Sequence, residues 1–511
     1  MAADSASRSR LAALLDALET LGNRLPDPVT LFACFAALVA LASWAAANLG
    51  VTAVHPRDGS TIEVVNLLQR DGVRRMFTEA VKNFTGFAPL GTVLVAMLGI
   101  GVAEATGLVA VSLRAIALRI PPALLTAAIV FLGVNANLAA DAGIVVLPPI
   151  AALLFVAAGR HPLAGIAAAY AGVTGGFSAN LLPSALDVLL AGFTQEAVTA
   201  SKLLPGYSVQ ILGNYWFMIA ATPLLTVLGT WITERIVEPR LGPYEGAGQA
   251  TGIAPLTREE SRGLVAAFAS LAGTLALLAL MVFGPASPLR LDAGGALERL
   301  KPFFDSMVVI VFLVFFVPGL AYGMATRRIR SDRDVAKMTG DTLATMGGFL
   351  ALAFVAAQFV AWFGWSNLGA VFAIRGADTL RAMGLHGAPL LVGFVLFAAL
   401  LNLFITSASA KWAILAPVFV PMFVLLGFTP EATQAVFRVG DSSTNIITPC
   451  MPYLPFVLAC TQRYVPRAGT GTLLSLMLPY SIVFLVFWTG LLLLFFALGW
   501  PIGPGVGLLL R

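Results

Sequence analysis

Apolar segments about as long as a membrane span recur along the chain, from near residue 29 to near residue 498. A helix needs about 20 such residues to cross the hydrocarbon core of a bilayer. Alternating ten-residue strands, the mark of a membrane β-barrel, are missing. The pattern therefore predicts an all-α polytopic membrane protein with about nine transmembrane helices. These spans are predicted near residues 29–50, 85–107, 161–188, 208–232, 263–284, 303–323, 342–364, 431–461 and 471–497.

Two apolar stretches do not fit this series of single helices. Residues 120–158 and 389–426 are each too long for one span, and each is broken by polar residues, "NANLAAD" at 135–141 and "NLFITSASAKW" at 402–412. Each is either two complete spans or two half-helices that enter and leave on the same side. Arg114, Arg119 and Arg160 flank the first stretch at both ends, which favours a re-entrant hairpin.

The composition agrees with a membrane protein, and the positions of the charged residues indicate its topology. Of 511 residues, 59% are hydrophobic and 11% charged, with a mean hydropathy of +0.89. The net charge of +5 is scattered between apolar segments, so it indicates topology and not nucleic-acid binding. The three cysteines, all in apolar segments, predict neither a disulfide framework nor a metal site.

The topology prediction divides the chain into two parts. Residues 1–28 are predicted to be a cytoplasmic amphipathic segment, not a signal peptide, and residues 29–511 a single membrane domain. With nine spans and the N-terminus inside, the C-terminus is periplasmic. The exterior 51–84 segment, with five basic residues, disagrees with this charge rule and is interpreted as an amphipathic surface helix.

The two hairpins and the two Asn-containing spans that follow them repeat one spacing. Asn137 precedes Asn180 by 43 residues, Asn402 precedes Asn445 by the same number, and both pairs are offset by 265 residues. The span after the first hairpin and the span after the second are expected to cross the membrane in opposite directions. This arrangement indicates an inverted-topology repeat.

Both of these spans contain helix-breaking residues beside polar ones, in "GGFSANLLPS" within 161–188 and in "FRVGDSSTNIITPCMPY" within 431–461. A broken helix leaves unpaired backbone groups, each costing on the order of several kcal/mol in hydrocarbon, so polar partners are needed there. Exposed half-helix ends attract anions and coordinate cations. We therefore associate a candidate sodium ion with the four asparagines. The alternative is a proline kink satisfied by neighbouring hydroxyls.

Charged residues within the spans add candidate chemistry. Arg438 and Asp441 are three apart, so they form either a structural ion pair or a site in which Arg438 holds a substrate carboxylate and Asp441 couples a cation or proton. Asp187 is a further proton-carrier candidate. Asp141, at the first hairpin tip, either takes a proton or caps the next half-helix.

The tip of the second hairpin, "SASAKW", combines hydroxyls, a positive charge and an aromatic ring. Ser407 and Ser409 either contact a ligand or permit close helix packing. Trp412 is either an interfacial anchor or a surface on which a planar substrate stacks.

These segments carry a family resemblance. "GVAEATGL", "AYAGVTGGFSANLLPSALDVLLAG", "SASAKWAILAPVFVPM" and "FRVGDSSTNIITPCMPY" resemble the AbgT family of p-aminobenzoyl-glutamate transporters, and the resemblance extends over nearly the whole chain. It implies a bowl-shaped homodimer in the bacterial inner membrane, with nine spans and two re-entrant hairpins per protomer. It also implies uptake of p-aminobenzoyl-glutamate and export of sulfonamide antimetabolites, driven by sodium or protons, without a covalent cofactor. The family's functional residues correspond to Asp187, Ser409, Trp412, Pro430, Arg438, Asp441 and Pro449.

Other functional classes fit less well. An intramembrane aspartyl protease needs Gly-x-Gly-Asp, where this chain has Arg438 in place of the first glycine, and neither HExxH nor a Walker loop is present. A passive channel would show flux independent of an opposing ion gradient. A di- or tricarboxylate carrier of the same superfamily is the nearest alternative, although its repeated Ser-Asn-Thr hairpin tips are missing.

Overall fold

The computed structural model describes residues 28–54, 59–117, 121–137, 142–244, 255–284, 286–293, 298–448, 451 and 453–510. Residues 1–27 of the predicted N-terminal segment therefore lie outside the described residues. Asp141 and Pro449 lie outside them as well. Within these ranges the chain is predominantly helical, and its only named strands are β1 (Thr52–Val54) and β2 (Thr61–Glu63), paired antiparallel with Ala53 opposite Ile62.

The α-helices are numbered in chain order, and two pairs of consecutive helices form hairpins. The first half contains α1 (Pro28–Asn48), α2 (Arg70–Thr78), α3 (Ala80–Thr85), α4 (Ala88–Ala105), α5 (Leu108–Ala117), α6 (Leu125–Ala136), α7 (Ala142–Ala157), α8 (Pro162–Tyr170), α9 (Ala185–Ser201), α10 (Tyr215–Ile232) and α11 (Glu238–Leu241). The remainder contains α12 (Arg258–Phe283), α13 (Lys301–Asp305), α14 (Met307–Ala325), α15 (Asp332–Thr345), α16 (Gly347–Trp365), α17 (Leu368–Ala382), α18 (Gly387–Asn402), α19 (Ala408–Leu425), α20 (Pro430–Asn445), α21 (Leu454–Gln462) and α22 (Thr470–Leu498). Short 3-10 turns (Pro122–Leu124, Glu298–Leu300) and π-helical segments (Ala171–Gly175, Thr233–Val237) complete the series.

Among the described residues, seven helices are long and apolar enough to cross a bilayer, or up to nine if two bent pairs each count as one span. The bent pairs are α4 with α5, at 62°, and α17 with α18, at 119°. The predicted all-α polytopic fold is therefore confirmed.

Both predicted hairpins and both broken helices are present as helical pairs. The first hairpin consists of α6 and α7, and the second of α18 and α19. The first broken helix consists of α8 with its π-helical extension Ala171–Gly175, a non-helical break and α9; the second consists of α20, a break after Asn445 and α21. The sides on which the hairpins enter the membrane stay predictions.

Several predicted boundaries were wrong. The span predicted at 161–188 resumes at Ala185 and continues to Ser201, and the next helix begins at Tyr215 instead of residue 208. Helix α17 was not predicted, because Arg375, Asp378 and Arg381 make its segment too polar for a simple hydropathy argument. Among the described residues of the 51–84 segment, helix begins at Arg70, and the strand pair lies before it.

Close backbone contacts join each broken helix to the first arm of its hairpin. A Cβ atom added to Gly172 would lie 2.7 Å from the Val130 carbonyl oxygen, and one added to Gly440 would overlap the Val395 carbonyl oxygen. The two broken helices also meet each other, because a Cβ atom on Gly175 would overlap the Ile446 side chain. Small residues at such crossings are what allow membrane helices to approach closely.

We expect Gly440→Ala to destabilise the protein by about 1–3 kcal/mol, since the added methyl group has no room beside the Val395 backbone. Gly490→Ala is the matched control, because a Cβ atom there has nothing within 4 Å. Thermal unfolding in detergent measures both variants. Equal melting temperatures for the two would contradict the close packing of α18 on α20.

Candidate functional site

Four charged side chains lie buried where the broken helices and the second hairpin come together. Asp187 is 2% exposed, Lys411 is fully buried, and Arg438 and Asp441 are each 1% exposed. Asp187 lies in the first turn of α9, Lys411 in the first turn of α19, and the other two on α20. Charges with so little exposure need partners inside the protein.

The first pair joins the second hairpin to the second broken helix. Lys411 Nζ contacts Asp441 Oδ1 and donates to Asn402 Oδ1. The amide nitrogen of Asn402 approaches the Asp441 carbonyl oxygen at 2.6 Å, Thr444 Oγ1 at 2.9 Å and Asn445 Oδ1 at 3.0 Å. Asn402 and Asn445, identified from their spacing, are therefore in direct contact.

The second pair joins the two repeats. Arg438 Nη2 lies 2.6 Å from Asp187 Oδ1, while Asp187 Oδ2 accepts from the backbone N–H and the hydroxyl of Ser184 at 2.6 and 3.0 Å. Asp187 thus stabilises the start of α9 and neutralises Arg438 at the same time. One carboxylate from the first repeat completes the charge balance of the second.

One possibility that the sequence left open was a structural ion pair between Arg438 and Asp441. This possibility is wrong for this conformation. The two residues are three apart on α20, as expected, but each makes its ion pair with a different helix. The reason is that neighbouring helices supply Asp187 and Lys411, which a spacing along one helix cannot reveal. Lys411 was noted only as a charge at the hairpin tip, and its role as the partner of Asp441 was missed.

Spare polar atoms accompany the two pairs. Among the described residues, Asp441 Oδ2, Ser442 Oγ and Arg438 Nε are buried without a hydrogen-bond partner. A buried polar atom left unsatisfied costs about 1–3 kcal/mol, so such atoms are conspicuous where a bound ion or solute can satisfy them. The cluster therefore offers both hydrogen-bond donors and acceptors to a ligand.

The corresponding amides of the first repeat contact backbone instead of charges. Asn137 Nδ2 donates to the Val173 carbonyl oxygen of the π-helical segment at 2.8 Å. The Asn180 amide, oriented to satisfy both of its polar atoms, donates to the Val134 carbonyl oxygen at 2.9 Å. Each hairpin asparagine thus hydrogen-bonds to the broken helix that follows it, so the two repeats share this contact, although no sodium ligation follows from these bonds alone.

Trp412 is fully enclosed in this conformation. Its ring lies 4.7 Å from the Phe437 ring, centroid to centroid, and its Nε1–H lies 2.9 Å from Thr194 Oγ1 on α9. Thr194 in turn donates to Gln434 Oε1 at 2.8 Å. Trp412 therefore connects the hairpin to both broken helices, and a substrate can stack on it only after the ring is uncovered.

Trp412→Phe keeps an aromatic ring against Phe437 but removes the indole N–H. We expect a loss of about 1 kcal/mol of stability, the usual net value of a hydrogen bond, and a larger loss for Trp412→Ala. Binding of a fluorescent aromatic ligand to the two variants distinguishes packing of Trp412 within the protein from stacking of Trp412 on a substrate. Unchanged aromatic affinity in Trp412→Ala would eliminate Trp412 as a substrate contact.

The remaining predicted site residues have mainly local contacts. Ser409 Oγ lies 3.0 Å from the hydroxyl of Ser407, which caps α19, and Pro430 is the first residue of α20 after the Thr429 cap. Glu431, which the sequence did not single out, is 1% exposed and accepts from the Tyr207 hydroxyl at 2.7 Å and the Gln210 N–H at 3.0 Å. Burial and the Glu431 carboxylate raise the pKa of the Tyr207 phenol, so it stays a donor.

An apolar cavity of about 210 Å³ lies between the first hairpin and helices α4, α5, α12 and α14. Its lining includes Asn135, whose Oδ1 accepts from the Leu181 N–H in the first break at 3.1 Å. The cavity therefore reaches the polar interruption of the first repeat, whereas the four charged residues are closed off from solvent.

Interrupted membrane helices, helical hairpins and buried, paired charges are typical of a membrane transport protein. The model of the AbgT putative transporter family matches residues 13–510, and the chain belongs to that family. This confirms the resemblance found in the sequence motifs. The protein is thus a multi-pass membrane transporter.

Relatives of known identity agree over nearly the full length. The chain is 40% identical over 501 residues to the p-aminobenzoyl-glutamate transport protein of Escherichia coli K12, covering 98% of each chain. It is similar to the crystal structure of the YdaH transporter of Alcanivorax borkumensis, with a TM-score of 0.87 and 48% identity, over 94% of this chain and 100% of that one. It is also similar to MtrF of Neisseria gonorrhoeae, which is described as illuminating a class of antimetabolite efflux pumps, with a TM-score of 0.88 and 43% identity, over 96% of this chain and 100% of that one.

Proposed function

We propose that this protein is an ion-gradient-coupled secondary transporter of p-aminobenzoyl-glutamate-like aromatic anions, an exporter of sulfonamide antimetabolites, or both. The name of the Escherichia coli relative supports p-aminobenzoyl-glutamate as a substrate, and the description of MtrF supports antimetabolite efflux. A di- or tricarboxylate carrier is not favoured by them. The observation that carries the proposal is the buried Arg438–Asp187 pair, because it links the two broken helices through a cation suited to carboxylate recognition.

Substrate binding in this proposal exchanges one carboxylate for another. Arg438 forms an ion pair with Asp187 in this conformation. A substrate carboxylate or sulfonamide anion that displaces Asp187 would break this contact between α9 and α20. The aromatic part of the substrate would then contact Trp412 once the Phe437 packing opens. Because ligand binding breaks an inter-repeat contact, it favours a change in the relative position of the broken helices.

The coupling ion is a sodium ion or a proton, with Asp441 and Asp187 as the carboxylates that respond to it. Asn137, Asn180, Asn402 and Asn445 lie at the interruptions, where amide and carbonyl oxygens suit a hard cation. The hairpin-bearing helices would move against the remaining helices as scaffold. We further propose a homodimer in the bacterial inner membrane, surrounded by lipid, with a cytoplasmic N-terminus and a periplasmic C-terminus.

Reconstituted vesicles test this function directly. Labelled p-aminobenzoyl-glutamate and a labelled sulfonamide are followed while sodium and proton gradients are imposed separately. We expect movement of at least one substrate against its own gradient under one of the two ion gradients. Flux that only dissipates the substrate gradient would indicate a channel, and accumulation of a dicarboxylate alone would indicate the other carrier class.

A further inference from the structure

Glu431 is a buried carboxyl group without a positive partner. It lies in the first turn of α20 and is 1% exposed. Asp187 and Asp441 are also buried, but each of them faces a cation. Among the described residues, no cation pairs with Glu431, whose oxygens accept from the Tyr207 hydroxyl at 2.7 Å and the Gln210 N–H at 3.0 Å. An ionised carboxylate buried in this way is strongly unfavourable.

The helices around this carboxyl group do not supply the missing charge. Helix α20 packs against α9, α18, α19, α22 and the π-helical segment of the first repeat, and α18, α22 and that segment contain no charged residue. Asp187 of α9 and Lys411 of α19 belong to the two ion pairs, and the other charged residue of α9, Glu196, is acidic. Arg438 and Asp441 lie about two and three turns further along α20.

The segment 202–214, which joins α9 to α10 and is called the connector below, encloses the Glu431 side chain. Besides the two hydrogen bonds to the carboxyl group, a Cβ atom added to Gly213 would lie 2.5 Å from Glu431 Cγ. Asn214 Nδ2 donates to the Glu431 carbonyl oxygen at 2.8 Å. Lys202 is the one charged residue of the connector, and it is exposed. The connector therefore covers Glu431 without neutralising it.

The same cluster contains a buried acceptor that lacks a donor. Asn214 is 2% exposed, and its Oδ1 has no hydrogen-bond partner among the described residues. A protonated carboxyl group is a donor as well as an acceptor, whereas a carboxylate only accepts. One proton on Glu431 would therefore remove the unbalanced charge and add a donor to a cluster that is short of one.

A cavity of about 490 Å³ gives a proton a way to reach this cluster. It is lined by Tyr207, by Thr429 and by the end of the chain at 499–510. This chain end lies over the start of α20, where the Thr429 N–H donates to the Leu508 carbonyl oxygen at 3.0 Å. Because Tyr207 both lines the cavity and hydrogen-bonds to Glu431, its hydroxyl connects the two.

We infer that Glu431 is a proton-binding site, separate from the two ion pairs. It holds a proton while the connector is docked on α20 and releases it when the connector moves away and the carboxyl group meets water. Because the proton favours the docked state, docking is strongest at low pH and weakens as the pH rises and the proton is lost. This inference goes beyond the proposed function and does not depend on the solute or on the coupling ion.

Hydrogen–deuterium exchange of the connector tests this inference in detergent, without substrate. Wild-type protein, Glu431→Gln and the control Glu259→Gln, on the surface of α12, are compared over a range of pH. Rates are corrected for the intrinsic pH dependence of amide exchange. In wild type and control, we expect connector exchange to accelerate as the pH rises, by up to about tenfold per pH unit, the limit for one proton. Glu431→Gln, which is neutral at every pH, is expected to lack this acceleration.

Infrared spectroscopy provides a second measurement, because a protonated carboxyl group and a carboxylate have separate stretching bands. We expect a carboxylic acid band in the wild type that is absent from Glu431→Gln and shifted in Tyr207→Phe, since the phenol donates to this group. Connector exchange that follows pH equally in wild type and Glu431→Gln would overturn the inference. If Glu431→Gln does not fold, the infrared result decides: a shifted band in Tyr207→Phe supports the site, and an absent or unshifted band refutes it.

Discussion

Arg438→Met is expected to abolish transport and to lower the free energy of unfolding by about 3–5 kcal/mol, because it leaves the Asp187 carboxylate buried without its partner. The loss of transport is expected because Arg438 is the proposed cation for the substrate carboxylate. The ion pair between Arg438 and Asp187, which joins the two repeats, is the reason for the expected loss of stability. Transport is measured in vesicles and stability by thermal or denaturant unfolding of the same preparations.

The double variant Arg438→Met/Asp187→Asn separates charge balance from function. It restores neutrality, so we expect much of the lost stability to return while transport stays absent. Arg381→Met is the matched control, since Arg381 pairs with Asp378 on the surface, where an ion pair contributes about 0–1 kcal/mol. If the double variant is no more stable than Arg438→Met, Arg438 and Asp187 do not form the proposed pair.

Asp441→Asn is the second substitution with a large expected effect. It removes the carboxylate that faces Lys411, so the ammonium stays buried with only neutral amides beside it, that of Asn402 and the one introduced by the substitution. We expect loss of coupled transport and a destabilisation of about 3–5 kcal/mol. Both are measured as for Arg438→Met, with Asp378→Asn on the surface as the control.

Adding Lys411→Met to Asp441→Asn is expected to recover stability but not transport. This separation distinguishes a coupling carboxylate from a merely structural ion pair. Transport that returns together with stability would show that Asp441 serves only to neutralise Lys411. A wild-type transport rate in Asp441→Asn alone would eliminate Asp441 from ion coupling altogether.

Hydropathy and helix-breaking residues were sufficient to predict the architecture around the site. The polar interruptions in 135–141 and 402–412 located both hairpins, because backbone groups in a membrane must be satisfied within the protein. The shared spacing of Asn137 and Asn402 indicated a repeat, and in the structure each of these asparagines donates to a backbone carbonyl of its own broken helix.

The partners of the charged residues were not predictable in the same way. Spacing along a helix identifies neighbours on one face, but it does not show which residue of another helix faces them. Arg438 and Asp441 were therefore linked to each other, whereas α9 and α19 provide their partners. Glu431 was missed because its burial depends on Tyr207 and Gln210 in a distant connecting segment.

We expect the interruptions of the two repeats to meet and form one polar compartment. A disulfide cross-link between Gly175→Cys and Ile446→Cys, in a background without the native cysteines, tests it most directly, because these residues contact each other at the meeting point. We expect mild oxidation to give an intramolecular cross-link detected by mass spectrometry, and none when Gly490→Cys replaces Ile446→Cys. A folded protein in which residues 175 and 446 do not cross-link would contradict the claim.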